Sequence, residues 1–159
     1  MEVEHYGAAT TFGALPTASV FRAHANGTFA RFIKAHDAAN QHHIVVISLG
    51  PFLGTDKAPH LYDPGLFFTD DTPCLDETAN VVLVPIPEEP REDGAFLGNG
   101  NILVGAGDVS LFLKMGPSSN DRRCVSLRTG TVTSNAPATR IVYEGYKIIR
   151  PRADTETLS

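Results

Sequence analysis

From residue 100 onward the chain alternates, and that alternation limits the fold more than any other feature of the sequence. In Val109-Ser110-Leu111-Phe112-Leu113-Lys114 and in Cys124-Val125-Ser126-Leu127-Arg128 apolar side chains recur at every second position, the period at which a strand turns one side to a core. Further strands are expected at 101–104, 131–133 and 140–149. Turn residues separate them: Gly105-Ala106-Gly107-Asp108, Gly116-Pro117-Ser118-Ser119-Asn120 and Thr129-Gly130. A strand about every ten residues is the pattern of an antiparallel sandwich or barrel.

The first hundred residues are less regular. A short strand at 17–23 is expected to end at the Asn26-Gly27 turn signal. One amphipathic helix is expected at about 28–40: Thr28 can cap it, and Phe29, Phe32, Ile33, His36 and Ala39 fall at spacings of three and four. The uninterrupted β-branched stretches at 43–49 and 81–84 read as strands buried on both faces. Between them, residues 50–80 are broken by Pro51, Pro59, Pro64 and Pro73 and are expected to form a long acidic loop. Residues 85–93 read as an exposed polyproline-like spacer. With 14 Gly and 11 Pro in 159 residues, turns are favoured over long helices, and 42% apolar content supports one core without a metal or a disulfide. The expected fold class is mainly β (α+β): an antiparallel β-sandwich or barrel-like domain carrying one helix, a single domain over 1–152 with a flexible tail at 153–159. These counts exclude intrinsic disorder, collagen, coiled coil and a disulfide-dense scaffold.

Charge is unevenly distributed. Residues 1–113 hold 14 acids against 5 bases, and residues 114–159 hold 8 bases against 4 acids. That segregation suits a protein partner or head-to-tail self-association. Nucleic acid is not expected, because the basic third lacks a run of aromatic residues for stacking. No stretch is long and apolar enough to span a membrane, and Met1-Glu2-Val3-Glu4-His5 carries acids where a signal peptide carries bases. The chain is therefore expected to be soluble, with its compartment unspecified. Cys74 and Cys124 match no metal or redox spacing and read as two unrelated buried thiols, a single disulfide being the alternative.

Few chemical motifs withstand inspection. Val104-Gly105-Ala106-Gly107-Asp108 resembles the opening of a dinucleotide site, yet a strand follows it where a helix is required to face the pyrophosphate. Ser48 follows a strand as a hydrolase nucleophile would, but Val46 occupies the position of the first glycine. The remaining candidates are clusters. His60, Asp63 and His43 could act as acid and base in a small hydrolase or lyase. His42, His60 and Asp63 could hold a divalent metal. For binding, Asp63, Asp70 and Asp71 on the acidic loop and Arg122, Arg123 and Arg128 on the basic strands are the candidates. No cofactor is expected.

The segment Arg122-Arg123-Cys124-Val125-Ser126-Leu127-Arg128-Thr129-Gly130-Thr131-Val132 resembles the closing strands of minor pseudopilins, and the helix-to-strand passage expected over 28–47 is similar to theirs. The resemblance covers under a third of the chain and lacks that family's N-terminal hydrophobic helix, so no membership follows from it. The functional expectation is a non-enzymatic binding or assembly module that presents residues 50–80 on a β scaffold. The hydrolase or lyase with its His/Asp cluster is the alternative.

Overall fold

The structure is a computed structural model describing residues 7–47, 59–92, 96–151 and 157–158. Its first half is organised by Asn26 and Gly27, which take φ of 51° and 80°, the left-handed pair that a two-residue hairpin turn requires. After β1 (Ala8–Thr11), the chain runs through β2 (Val20–Ala25), this turn and β3 (Thr28–His36). β2 and β3 pair from Ala25↔Thr28 to Val20↔Ile33. The helix expected over 28–40 is therefore a strand followed by a turn. Its residues mimic helical spacing because both faces of β3 are covered: Ala30 and Phe32 enter one core while Ile33 and Ala35 enter another, which erases the simple alternation of a half-buried strand. The part of the pseudopilin resemblance that rested on this helix goes with it.

β4 (His42–Val46), β5 (His60–Tyr62) and β6 (Pro73–Asp76) complete a six-stranded antiparallel sheet in the order β1-β6-β2-β3-β4-β5. Residues 59–80 thus hold two strands and a 3-10 turn (Pro64–Leu66) in place of an open loop, while 50–58 lie outside the described residues. β7 (Val82–Ile86) follows. Then β8 (Ile102–Gly105), β9 (Asp108–Lys114), β10 (Arg122–Ser126), β11 (Val132–Thr133) and β12 (Ile141–Tyr143) form a five-stranded antiparallel sheet, ordered β11-β10-β9-β8-β12. The strand expected over 140–149 divides at Glu144. Its second part, β13 (Gly145–Pro151), leaves that sheet to pair with β7 and with β14 (Thr157–Leu158). Two residues of the expected tail are therefore paired. The mainly antiparallel β architecture, with its sheets packed face to face, is the one the alternation implies.

Three apolar clusters fill the sandwich. On one face of the six-stranded sheet, Phe12, Phe21, Phe32 and Phe68 pack with ring centroids 5.1 to 5.9 Å apart. Buried Lys34 closes that side by donating to the carbonyls of Phe12 (2.8 Å) and Leu15 (2.9 Å); burial holds its pKa below the ordinary lysine value. On the other face, Ile33, Val45 and Ile47 meet Leu111, Leu113 and Val125 of the five-stranded sheet, and the Tyr146 hydroxyl donates to Ile47 O at 2.9 Å. The third cluster, Leu103, Phe112, Cys124 and Val142, is roofed by Leu97 and Ala136.

At Gly130 the two large sheets meet through their backbones. Its carbonyl accepts the His36 amide at 2.9 Å, its φ is +75°, and a Cβ there would stand 2.7 Å from Ala18 N and 3.0 Å from Lys34 O. Cys74 and Cys124 are free and buried in different clusters, and burial pushes each thiol up to about 11. Both should resist alkylation by iodoacetamide in the native protein at pH 8 and react on unfolding in urea. Mass spectrometry reads the outcome, and rapid native labelling of either thiol would contradict its placement.

Candidate functional site

The acid/base residues proposed from sequence do not share a cleft. His60 lies opposite Val46 in the β4–β5 pairing and so shares its face, whereas His43 is three residues from Val46 and points to the opposite face of the sheet. His43 Nε2 instead lies 3.1 Å from Asp37 Oδ2. The Asp37 carboxylate also accepts the amides of Ala39 and Gln41, and these bonds, the His43 contact foremost, hold its pKa below the ordinary carboxylate value. Asp63 caps the 3-10 turn through Gly65 N at 2.9 Å. His42 is exposed, directly opposite His36. Among the described residues no three His, Cys, Asp or Glu side chains gather as a metal site, so His42, His60 and Asp63 are not brought together as one.

The candidate binding residues disperse as well. Asp70 and Asp71 are exposed in the turn between Thr69 and Thr72. Arg122 is exposed and directly opposite Lys114, Arg123 donates to the carbonyls of Asn120 and Arg122, and Arg128 lies at the far end of β10, 4.0 Å from Asp108.

The fold assembles a different charged site. Arg22 and Arg31 are direct cross-strand partners on β2 and β3. Arg31 grips the buried carboxylate of Glu77 with Nε at 2.6 Å and Nη2 at 3.3 Å, and Arg150 on β13 reaches the same carboxylate at 3.4 Å. Glu77 is 3% exposed in its side chain. Two guanidinium groups, those of Arg31 and Arg150, thus meet at this carboxylate. Arg22 is the one left over: among the described residues its side chain makes no hydrogen bond or ion pair, its Nε is buried without an acceptor, and its guanidinium lies 4.4 Å above the Phe29 ring. Phe29 in turn meets His24, its cross-strand partner, at 4.8 Å.

Sequence reasoning missed this set, although the signal was present. Arg22 and Arg31 are equidistant from the centre of Asn26-Gly27, so a two-residue hairpin turn there makes them face each other. One rung further along the same sheet face, Val20 and Ile33 are paired and line an open cleft of about 360 Å³ together with Val82, Leu83, Val109 and Leu127. Among the described residues, no helix is long and apolar enough to cross a membrane. Set beside protein-family models, curated proteins and solved structures, this chain matches none of them.

Proposed function

We propose that the protein is a non-enzymatic binding module that recognises an anionic group through Arg22, with Arg31 and Arg150 supplying the surrounding positive field. The observation that carries this reading is Arg22 itself: it stands directly opposite Arg31 on the ladder, its Nε is buried without an acceptor, and among the described residues no acid pairs with it. Like charges directly opposite each other destabilise a sheet, and a bound anion relieves that cost while engaging the planar fork of the guanidinium. The contact surface accordingly moves from residues 50–80 to the exposed part of the β2–β3 hairpin. Inorganic phosphate titrated into the full chain at low salt is expected to bind, with affinity falling about tenfold in Arg22→Ala and falling again as salt is raised. Binding that ignores both changes, or no binding at millimolar phosphate, would remove the reading.

Self-association is a second route, favoured by the exposed Lys114–Arg122 opposition on one sheet and the exposed Asp70-Asp71 turn on the other. Sedimentation at low salt should show association that salt dissolves and that Arg122→Glu abolishes. A monomer under every condition would count against it.

A further inference from the structure

The chain holds two Asn-Gly pairs, Asn26-Gly27 and Asn99-Gly100, and the fold treats them in opposite ways. Such a pair is chemically labile, because the amide nitrogen of a residue without a side chain can reach the carboxamide carbon of the asparagine before it. Both asparagines are exposed, so exposure does not separate them. Hydrogen bonding does. The Asn99 carboxamide is held at both ends, its Nδ2 donating to Pro59 O at 2.9 Å and its Oδ1 accepting Lys114 N at 3.0 Å. The nitrogen that would attack it is held too: Gly100 is buried, its N–H donates to Phe112 O at 2.8 Å, and a Cβ added to it would stand 3.2 Å from Pro59 Cδ. At the tip of the β2–β3 hairpin these restraints are missing. Among the described residues neither the Asn26 side chain nor the Gly27 N–H makes a hydrogen bond. Gly27 is exposed, and nothing lies within 4 Å of a Cβ added there.

We propose that Asn26 is a site of spontaneous modification in the folded protein, converting to isoaspartate and aspartate while Asn99 is protected. The Gly27 nitrogen gives up its proton and bonds to Asn26 Cγ; the Cγ–Nδ2 bond breaks, ammonia leaves, and a succinimide closes. Water then opens the ring. Attack at the backbone carbonyl breaks its bond to Gly27 N, freeing that carbonyl as a carboxylate and routing the chain through Cβ and Cγ; attack at Cγ gives aspartate. The isoaspartyl chain is longer by one carbon between Ala25 and Thr28. The φ values of 51° and 80° close a two-residue turn at the normal chain length, so the rungs nearest the tip, Ala25↔Thr28 and then His24↔Phe29, loosen first. Conversion at Asn26 goes beyond the anion site and does not depend on it.

The test incubates the full chain at pH 8 and pH 5, natively and in urea. Mass spectrometry of digested peptides follows the one-dalton gain, and an isoaspartyl methyltransferase marks the isomerised product. In urea both asparagines are expected to convert at similar rates. In the native protein Asn99 should convert at least about tenfold more slowly than Asn26, because its hydrogen bonds must break first. Asn26 should react faster at pH 8, where the Gly27 amide loses its proton more readily. Gly27→Ala should slow Asn26 at least about tenfold by crowding the attacking nitrogen; matched circular dichroism shows that this variant is folded. Converted protein, separated on its extra negative charge, should melt about 2–4 °C lower than the parent, and Asn26→Asp, with the same charge on a chain of normal length, should lose less. Native Asn26 reacting no faster than native Asn99, or staying intact while the unfolded chain converts, would overturn the proposal. Converted protein that melts with the Asn26→Asp variant would overturn the loosening of the hairpin.

Discussion

Replacing Gly130 with alanine should lower stability by about 3 kcal/mol or more and the melting temperature by roughly 6–12 °C. Two costs add. A non-glycine residue at φ +75° gives up about 1 kcal/mol or more to sterics within its own backbone. The new methyl group would also stand 2.7 Å from Ala18 N and 3.0 Å from Lys34 O, backbone atoms that cannot retreat without parting the sheets, and overpacking of that kind costs typically about 1–3 kcal/mol. Gly27→Ala provides the control. Its φ is +80°, but nothing lies within 4 Å of the added carbon, so only the conformational cost of about 1 kcal/mol applies. Thermal melts of the two variants separate the contributions; equal melting temperatures would mean that Gly130 is not a point of close approach.

Glu77→Ala should cost about 3 kcal/mol at neutral pH, read as a lower urea midpoint with an unchanged slope. Removing one member of a buried ion pair strands its partners, and such losses run to about 3–5 kcal/mol. The lower end applies here because Arg31 and Arg150 keep 17% and 24% side-chain exposure and water partly compensates them. The carboxylate joins β3 of the six-stranded sheet to β13 of the three-stranded one, so the variant should loosen that junction first. Glu77→Gln keeps the volume and one acceptor oxygen and should lose less. A loss below about 1 kcal/mol in the alanine variant would show that the three groups are better solvated than their burial indicates.

How far the sequence discloses this molecule depends on how many faces of each strand are covered. β9 and β10 have the clear alternation that predicts an antiparallel sandwich, and their positions follow it closely. β3 does not, because Phe32 and Ile33 serve different cores, and its pattern then imitates a helix although the Asn26-Gly27 signal beside it specifies a hairpin. β5 and β6 are short and bounded by prolines, so a stretch that contributes two strands reads as a loop. The charged cluster was concealed for a related reason. Glu77 sits in an acidic run that looks solvated, and its partners come from strands far apart in the chain. Arg22 and Arg31 are two of only five bases before residue 114, and only the hairpin register brings them face to face. His43 was singled out, but its partner Asp37 was not, since the turn joining β3 to β4 lay inside the expected helix.

The position of β6 between β1 and β2 bears on how the chain matures. During synthesis the β2–β3 hairpin can close as soon as it emerges, but among the described residues β1 has no neighbour other than β6, which is made later by several seconds at about 5–20 residues per second. Until then the outer border of β2 presents free amide and carbonyl groups, a template for unwanted pairing. The nascent protein thus passes through an interval of vulnerability that ends when residues 73–76 slot into the waiting gap, and slower translation through residues 26–72 would prolong it.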